Sequence, residues 1–175
     1  MKTVSLLSLA LLGLLAGCAA LGPDAPRAAS RTEVIFDHPE NFTDVKDMSS
    51  PTEKGRDSIL SQIRDYLERD ATSRLPEGDH LKVVFTDIDL AGDFEPWRGP
   101  EWMDVRIVKA IYPPAFKFTY TVTDASGKVV LQGSESRRDM AFDTHLLIDA
   151  SDPLRYEKAM LDDWVRSKLR ELNKS

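Results

Sequence analysis

The sequence predicts an α+β domain in which two helices cover one face of a mainly antiparallel sheet. Three observations lead to this fold class. Two segments carry apolar residues at three-to-four spacing, which is typical of amphipathic helices. Several shorter segments alternate apolar with polar residues or are rich in β-branched residues, as strands are. The segments follow the order β-α-β-β-β-β-α, which favours a two-layer sandwich with a sheet of about five strands.

The first strand and the first helix lie at the start of this domain. Residues 32–37 are predicted to form the strand, because consecutive β-branched and aromatic residues lie inside it. Residues 50–53 (Ser-Pro-Thr-Glu) fit a capping box, with Ser50 as the cap and Pro51 at the first helical position. The apolar stripe of the helix comprises Ile59, Leu60, Ile63, Tyr66, Leu67 and Ala71.

Four further strands are predicted in the middle of the chain. Residues 81–90 form the second strand, and strict alternation gives it apolar residues on both faces, which indicates a central position. Its first face holds Leu81, Val83 and Phe85, and its second face holds Val84, Ile88 and Leu90. A third strand is predicted over residues 103–112. Residues 116–123 alternate apolar and polar side chains, and a turn at 124–127 returns the chain antiparallel over 128–136.

The last helix begins near Asp152, which can cap it, with Pro153 at the first helical position. Its predicted buried stripe comprises Leu154, Leu161, Trp164, Val165, Leu169 and Leu172. Because a helix connects the first two strands, they are predicted to be parallel if they are neighbours. Both helices then cover the same face of the sheet.

Residues 1–17 have the organisation of a secretory signal. Lys2 precedes an apolar run that is too short to span a bilayer, which needs about 20 residues. The run closes on Leu-Ala-Gly-Cys at residues 15–18, and Cys18 is the one cysteine of the chain. This arrangement resembles a bacterial lipoprotein signal, in which the chain is cleaved between Gly17 and Cys18 and the cysteine receives acyl chains such as palmitate. The alternative is a released protein in which this cysteine is incidental.

The predicted anchor also predicts a location. Residues 18–31 are small, Pro-punctuated and aperiodic, so we expect a flexible tether that reaches on the order of 20 Å from the lipid. Residues 32–175 then form one periplasmic domain. In a Gram-negative cell, Ala19 favours the outer membrane, because lipoproteins kept at the inner membrane often carry Asp at that position. The lipid bilayer is therefore an expected partner, through acylated Cys18.

Composition limits the classes of function. The net charge of −6 and the absence of dense Lys/Arg clusters argue against a nucleic-acid partner. The sequence contains no phosphate-binding loop, no dinucleotide fingerprint, no His-Glu-x-x-His and no serine-nucleophile elbow. These absences favour a non-enzymatic role, and the sequence predicts neither a cofactor nor a metal.

The best chemical candidates are Asp87 and Asp89. Period-two spacing places both carboxylates on one side of the second strand, near its end. Paired carboxylates can bind a hard cation or share a proton, whereas acidic residues before a loop are more often solvated or cap a turn. Three histidines lie in predicted loops or at strand edges, but their spacing matches no zinc motif. They are His38, His80 and His145.

Two tryptophans form a second candidate binding feature. Trp97 and Trp102 flank a Pro/Gly-containing segment, and exposed tryptophan often anchors interfaces. The alternative is that one or both fold back over the sheet edge. Trp97 is expected to be the more exposed of the two.

Three stretches carry a resemblance to a known family. They are Asn-Phe-Thr-Asp at 41–44, Asp-Ile-Asp-Leu-Ala-Gly at 87–92, and Asp-Pro-Leu-Arg-Tyr-Glu-Lys at 152–158, which runs on to Leu-Asp-Asp-Trp at 161–164. They resemble the bacterial family called domain of unknown function 3016. The resemblance spans residues 34–164 and implies one intact domain in an envelope location, without an established activity.

The sequence thus favours a membrane-tethered periplasmic lipoprotein that acts as a non-enzymatic binding or accessory module, with an envelope protein as its partner. One alternative is a metal-binding protein or hydrolase that uses Asp87 and Asp89 with a histidine. Another is a carrier of a small apolar ligand, which predicts a large internal cavity between helix and sheet.

Overall fold

The computed structural model of the protein describes residues 30–46, 52–145 and 149–172. It has the predicted α+β architecture, with two helices over a mainly antiparallel sheet. The strands are β1 (Thr32–Phe36), β2 (His80–Asp89), β3 (Asp93–Phe94), β4 (Arg106–Ile107), β5 (Ala115–Thr123) and β6 (Val129–Arg138). The helices are α1 (Glu53–Arg74) and α2 (Arg155–Leu172).

The main sheet has four strands in the order β1-β2-β5-β6. β1 and β2 are parallel, with Thr32 opposite Leu81, as the helical connection between them predicts. The other neighbours are antiparallel. The predicted turn between β5 and β6 is confirmed, because the carboxylate of Asp124 accepts hydrogen bonds from the backbone N–H groups of Ser126 and Lys128.

The core lies between the helices and one face of this sheet. On α2, the buried indole of Trp164 makes edge-to-face contacts with Phe118 at 4.8 Å and Tyr120 at 5.4 Å between ring centroids. On α1, Ile63 and Leu67 are fully buried. Aromatic burial of this kind is the main source of stability in a chain whose one cysteine leaves no internal disulfide. Among the described residues, neither helix is long and apolar enough to cross a bilayer.

The first helix begins later than the sequence predicts. Its N-cap is Thr52, whose hydroxyl accepts a hydrogen bond from the backbone N–H of Gly55 at 3.2 Å. The predicted cap, Ser50, and Pro51 lie outside the described residues. Ser and Thr cap helices for the same reason, so a sequence that offers both within three positions leaves the start ambiguous.

A β-bulge changes the faces of β2. Phe85 pairs with Phe118 and Asp87 with Lys117, so Thr86 is an extra residue in the strand. Strict alternation predicted Ile88 on the face opposite Phe85, and this was wrong. Because of the bulge, Ile88 is buried on the helix-covered side, whereas Asp87 lies on the outer side.

The predicted strand over residues 103–112 is also largely wrong. Only Arg106–Ile107 is extended, and it pairs with Asp93–Phe94 in a separate two-stranded sheet. Two 3-10 turns, Pro96–Arg98 and Pro100–Trp102, occupy the space between the two. The segment does not continue as a strand, because Arg106 and Lys109 form ion pairs with Asp44 and Glu95 in neighbouring loops, as described below.

Candidate functional site

Two loops meet where β1 and β2 end. The chain after β1 continues the parallel pairing, because Asp44 N–H donates to Ile88 O at 3.0 Å and Leu90 N–H donates to Asp44 O at 3.1 Å. The Thr43 N–H also donates to the Asp87 carboxylate, at 2.8 Å. These bonds hold residues 41–44 against the end of β2.

A buried ion pair joins this corner to β4. The guanidinium of Arg106 contacts the carboxylate of Asp44 at 2.8 Å, and the two side chains are 6% and 12% exposed. Arg106 also donates to the backbone carbonyls of Gly92 at 2.8 Å and Lys46 at 3.1 Å. Its guanidinium lies over the ring of Phe94. One cation therefore connects four separate positions of the chain.

The third element at this corner is the start of α2. Glu157 is 1% exposed, and its Oε1 accepts a hydrogen bond from the backbone N–H of Ala91 at 2.7 Å. Its Oε2 has no hydrogen-bond partner among the described residues. Burial raises the pKa of Glu157, although the backbone N–H of Ala91 and the charges of Arg106 and Arg155 oppose that shift.

The corner therefore brings together all three stretches that carry the family resemblance. Residues 41–44 contact residues 87–92 through Thr43 and Asp44, and residues 152–158 contact them through Glu157. Contacts between stretches so distant in sequence show that they form one structural unit.

Asp87 has a structural role at this corner. Its carboxylate accepts hydrogen bonds from the Thr43 N–H and hydroxyl and contacts the Lys117 ammonium at 2.9 Å. Burial acts to raise its pKa, but the bonds from Lys117 and Thr43 outweigh it and hold the pKa below its usual value. The carboxylate is therefore ionised and fully engaged.

Asp89 lies on the same outer side, as predicted, in a different environment. It faces Arg138 at 3.4 Å and lines an open groove with Asp44 and Tyr112. Burial raises its pKa; Arg138 opposes that shift, and the neighbouring charges of Asp44 and Asp87 reinforce it. Asp87 and Asp89 thus lie on one side of the strand, as the sequence predicts, but they contact different partners.

Trp97 and Trp102 belong to the tryptophan loop, which we define as residues 95–112. Its centre is the buried carboxylate of Glu95, which the Lys109 ammonium contacts at 2.6 Å and to which the Tyr112 hydroxyl donates at 3.0 Å. The Arg98 guanidinium contacts the other oxygen. The hydrogen bond from Lys109, with those from Tyr112 and Arg98, lowers the pKa of Glu95.

Around this centre, the loop presents apolar side chains to solvent. Trp97 is 71% exposed, Ile111 70% and Met103 55%, whereas Trp102 is 38% exposed and lies under the Arg98 guanidinium. The expectation that Trp97 is the more exposed tryptophan is confirmed. Six of the nine large exposed hydrophobic residues in the described part of the chain lie in this loop.

The histidines do not converge on the aspartates. His38 contacts Asp37 and Glu40, and His145 contacts Asp139 at 3.4 Å. His80 begins β2, at the opposite end of the strand from Asp89. Within residues 30–46, 52–145 and 149–172, no group of three or more His, Cys, Asp or Glu side chains is arranged to hold a metal ion.

Buried side chains of both helices and of the sheet form the hydrophobic core of the described domain. A cavity of about 70 Å³ lies beside it, between residues 58–62 of α1, the start of α2 and the end of β2. Pockets for drug-sized ligands have volumes of roughly 300–1,000 Å³. A cavity of this size does not match the large interior space that the apolar-carrier alternative predicts.

Sequence reasoning missed the charged residues that build the corner. Asp44, Arg106 and Glu157 have partners that lie far along the chain, so no local pattern marks their pairing. Glu95 has one near partner, Arg98, but its partner Lys109 lies 14 residues away. Glu157 alone carries a signal, since it precedes Met160, Leu161 and Trp164 at helical spacing. A charged residue on a buried stripe indicates a satisfied or functional group. Gly17 and Cys18 lie outside the described residues.

The sequence and the structure of the chain were compared with those of known proteins. A search of curated proteins and a search of solved structures each gave no match. The family model described as "Protein of unknown function (DUF3016)" matches residues 30–167, well over half of the chain. The match covers all six strands and both helices, except the last five residues of α2. The chain therefore belongs to the DUF3016 family, whose function is unknown.

Proposed function

We propose that this protein is a lipid-anchored envelope lipoprotein that binds another envelope protein through the tryptophan loop and has no catalytic role. The observation that carries the proposal is the exposure of Trp97, Met103 and Ile111 on a loop held in place by buried charges. Large apolar side chains gathered in one segment mark interaction sites more often than scattered ones do. Tryptophan is enriched among residues that dominate binding energy.

The anchor rests on the sequence. Cys18 follows Leu-Ala-Gly at the end of a short apolar run, and acylation there would fix the chain to a membrane. Ala19 favours the outer membrane of a Gram-negative cell, with the domain facing the periplasm.

The position of the loop supports a protein partner over the protein's own membrane. The chain enters the sheet at Thr32, which lies opposite Leu81 at the start of β2. The tryptophan loop follows the other end of β2, beyond Asp89. At about 3.3 Å per residue, these ends are roughly 25 Å apart. A flexible tether attached at Thr32 therefore joins the domain at the end opposite the tryptophan loop.

The carboxylates support a non-enzymatic role. Asp87 is engaged by Lys117 and Thr43, and Glu95 by Lys109, Arg98 and Tyr112. A general base or nucleophile needs a free lone pair directed at its substrate. Both carboxylates are instead engaged by groups of this chain and hold loops in place.

The anchor is tested by fractionation. Cys18→Ala should move the protein from the membrane fraction to the soluble periplasm, and mass spectrometry of the native protein should show an acylated N-terminal cysteine. Ala28→Ser, in the predicted tether, serves as the control and should stay in the membrane. Separation of inner and outer membranes tests the location. Unchanged partitioning of Cys18→Ala would contradict the anchor.

The binding surface is tested by site-specific photo-crosslinking in living cells. A photoreactive residue at position 97 or 111 should give a discrete crosslinked species. The same photoreactive residue in place of Thr121, which lies on the outer face of β5, should give no discrete crosslinked species. Trp97→Ala should weaken the crosslink formed from position 111 without lowering the melting temperature. Equal crosslinking from all three positions would refute the proposed surface.

A further inference from the structure

The two edges of the main sheet differ in how they are covered. β1, at one edge, is five residues long, and the Arg64 guanidinium donates to the carbonyl of Val34 at 3.3 Å. β6, at the other edge, is ten residues long, contains no proline and has no described strand on its outer side. Proteins usually keep edge strands short, covered or interrupted by proline, because free backbone groups form a template for another strand. β6 has none of these protections.

The free backbone groups of β6 belong to alternate residues. The N–H of Asp139 donates to the carbonyl of Pro114 at 3.1 Å, and the register of β5 with β6 continues without a shift from there to Leu131. In an antiparallel pair, residues bonded to the neighbouring strand alternate with residues whose N–H and C=O point away from it. Odd-numbered residues of this stretch therefore bond to β5. The residues whose backbone groups point outward are Gln132, Ser134, Ser136 and Arg138.

These outward groups are complementary to those of a second copy of the same strand. Two β6 strands can run antiparallel about a two-fold axis at Ser134. Ser134 then lies opposite Ser134 of the second copy, and Gln132 lies opposite Ser136. Because each of these residues points outward, each opposing pair exchanges N–H···O bonds across the axis. The pairing uses backbone groups that β5 leaves free.

The charged side chains of β6 fit this register. On the helix side of the sheet, Glu135 lies opposite Gly133 of the second copy, and Arg137 lies opposite Leu131. No like charges therefore face each other directly. An axis at Glu135 would keep the bonding pattern but would place two carboxylates opposite each other, which is destabilising. Charge therefore favours the axis at Ser134.

Exposed apolar residues lie at both ends of β6. Val129 and Val130 begin the strand, and Met140 follows it. They are the large exposed hydrophobic residues of the described chain that lie outside the tryptophan loop. In antiparallel pairing, the start of one strand lies beside the end of the other, so the two valines lie near the methionine of the second copy. Symmetry repeats this arrangement at the other end, which favours a second copy over an unrelated strand.

The helices leave room for this pairing. In each copy, two helices cover a sheet of four strands. Neighbouring strands are about 4.8 Å apart and packed helices about 8–10 Å apart, so two helices need about the width of four strands. A two-fold axis perpendicular to the sheet keeps all the helices on one face, with this spacing continued from one copy to the next.

We infer that the protein forms a homodimer in which two β6 strands pair antiparallel about an axis at Ser134. The two four-stranded sheets then become one continuous sheet. The interface is an edge of the sheet outside the tryptophan loop, and the inference does not depend on the lipid anchor.

The oligomeric state of the full chain tests the inference. The chain is purified in detergent micelles and measured by size-exclusion chromatography with light scattering, over a dilution series. After correction for detergent, the protein mass should equal that of two chains at high concentration and fall toward that of one chain on dilution.

Variants of one residue locate the interface. Ser134→Pro removes an N–H that points away from β5, so the fold should persist, which the melting temperature checks. The dissociation constant of the dimer should rise about tenfold or more, because hydrogen bonds are lost on both sides of the axis. Ser134→Ala keeps the N–H and is the matched control, with unchanged dimerisation. If the proline variant melts at a lower temperature, Ser134→Lys replaces it, since two opposing ammonium groups should also weaken the dimer.

A cysteine at the axis tests the register. In the dimer, the Cα atoms of the two residues 134 lie about 5.5 Å apart, which a disulfide can span. Mild oxidation of Ser134→Cys should therefore link two chains. Thr121→Cys should not, because residue 121 and its copy lie about three strand spacings apart, or roughly 14 Å. The unaltered chain, which contains Cys18, gives the background.

Three results would overturn the inference. The first is a protein mass of one chain at every concentration, which means that a different strand or solvent covers β6. The second is a Ser134→Pro variant that folds and dimerises as tightly as Ser134→Ala, which places the interface elsewhere. The third is a Ser134→Cys variant that forms no more disulfide-linked dimer than Thr121→Cys, which contradicts the axis.

Discussion

Replacement of Arg106 by Met tests whether the corner of the fold depends on one buried cation. The change keeps most of the aliphatic stem but removes the guanidinium. The ion pair with Asp44, the hydrogen bonds to Gly92 O and Lys46 O and the contact with the Phe94 ring are lost with it. Breaking a buried pair from one side costs about 3–5 kcal/mol, because the remaining charge is uncompensated. Asp44 keeps some exposure, so we expect a loss of about 3 kcal/mol in the free energy of unfolding.

Urea denaturation followed by circular dichroism measures this loss, which corresponds to a drop of about 6–12 °C in melting temperature for a domain of this size. Arg56→Met is the matched control. Its partner Asp57 is largely exposed, so the change should cost less than about 1 kcal/mol. A double-mutant cycle with Asp44→Asn should give a coupling energy above about 1 kcal/mol. An Arg106→Met variant as stable as Arg56→Met, or an additive cycle, would refute the reasoning.

The remaining predictions concern single side chains. Gly92→Ala should destabilise the fold by about 1–3 kcal/mol in urea denaturation, since a Cβ at φ +84° would approach Ile107 O to 2.8 Å. Gly127→Ala, with the same φ and no neighbour within 4 Å, should cost less, and equal costs would contradict this account. Trp164→Ala should lower the free energy of unfolding by about 3–5 kcal/mol, and a loss below about 1 kcal/mol would mean that its aromatic contacts matter little. The raised pKa of Glu157 means that the folded state holds its proton more tightly than the unfolded state does. Stability therefore falls as pH rises from the ordinary value of 4.5 to the folded-state pKa, so Glu157→Gln should gain stability over the unaltered chain as the pH is raised above 4.5; a difference that stays constant with pH would contradict the shift.

Local patterns predicted the regular elements because each depends on residues close in sequence. The stripe on α1, the alternation in β5 and the turn at Asp124 all correspond to observed elements. The parallel pairing of β1 with β2 follows from the helix that connects them.

The remaining features depend on contacts that no local pattern marks. No residue type in the sequence marks the bulge at Thr86. A prediction by strict alternation therefore assigned Ile88 to the wrong face. The segment 103–112 has apolar residues that suit a strand, but Arg106 and Lys109 are held by Asp44 and Glu95 from other parts of the chain. The candidate site was therefore predicted only in part: the spacing of Asp87 and Asp89 is local, whereas the pairing of Arg106 with Asp44 is not.

The extra residue in β2 gives this strand a spare position. Without Thr86, strict alternation from Phe85 would still direct Ile88 toward the helices and Asp87 toward water. Deletion of Thr86, or of a neighbouring residue if the strand shifts its pairing by one position, therefore leaves every later side chain of β2 correctly oriented. Insertion of one residue would instead direct the later side chains to the opposite faces, unless a second bulge forms. The strand can accordingly vary in length in one direction only, which makes deletions in this region easier for the protein to survive than insertions.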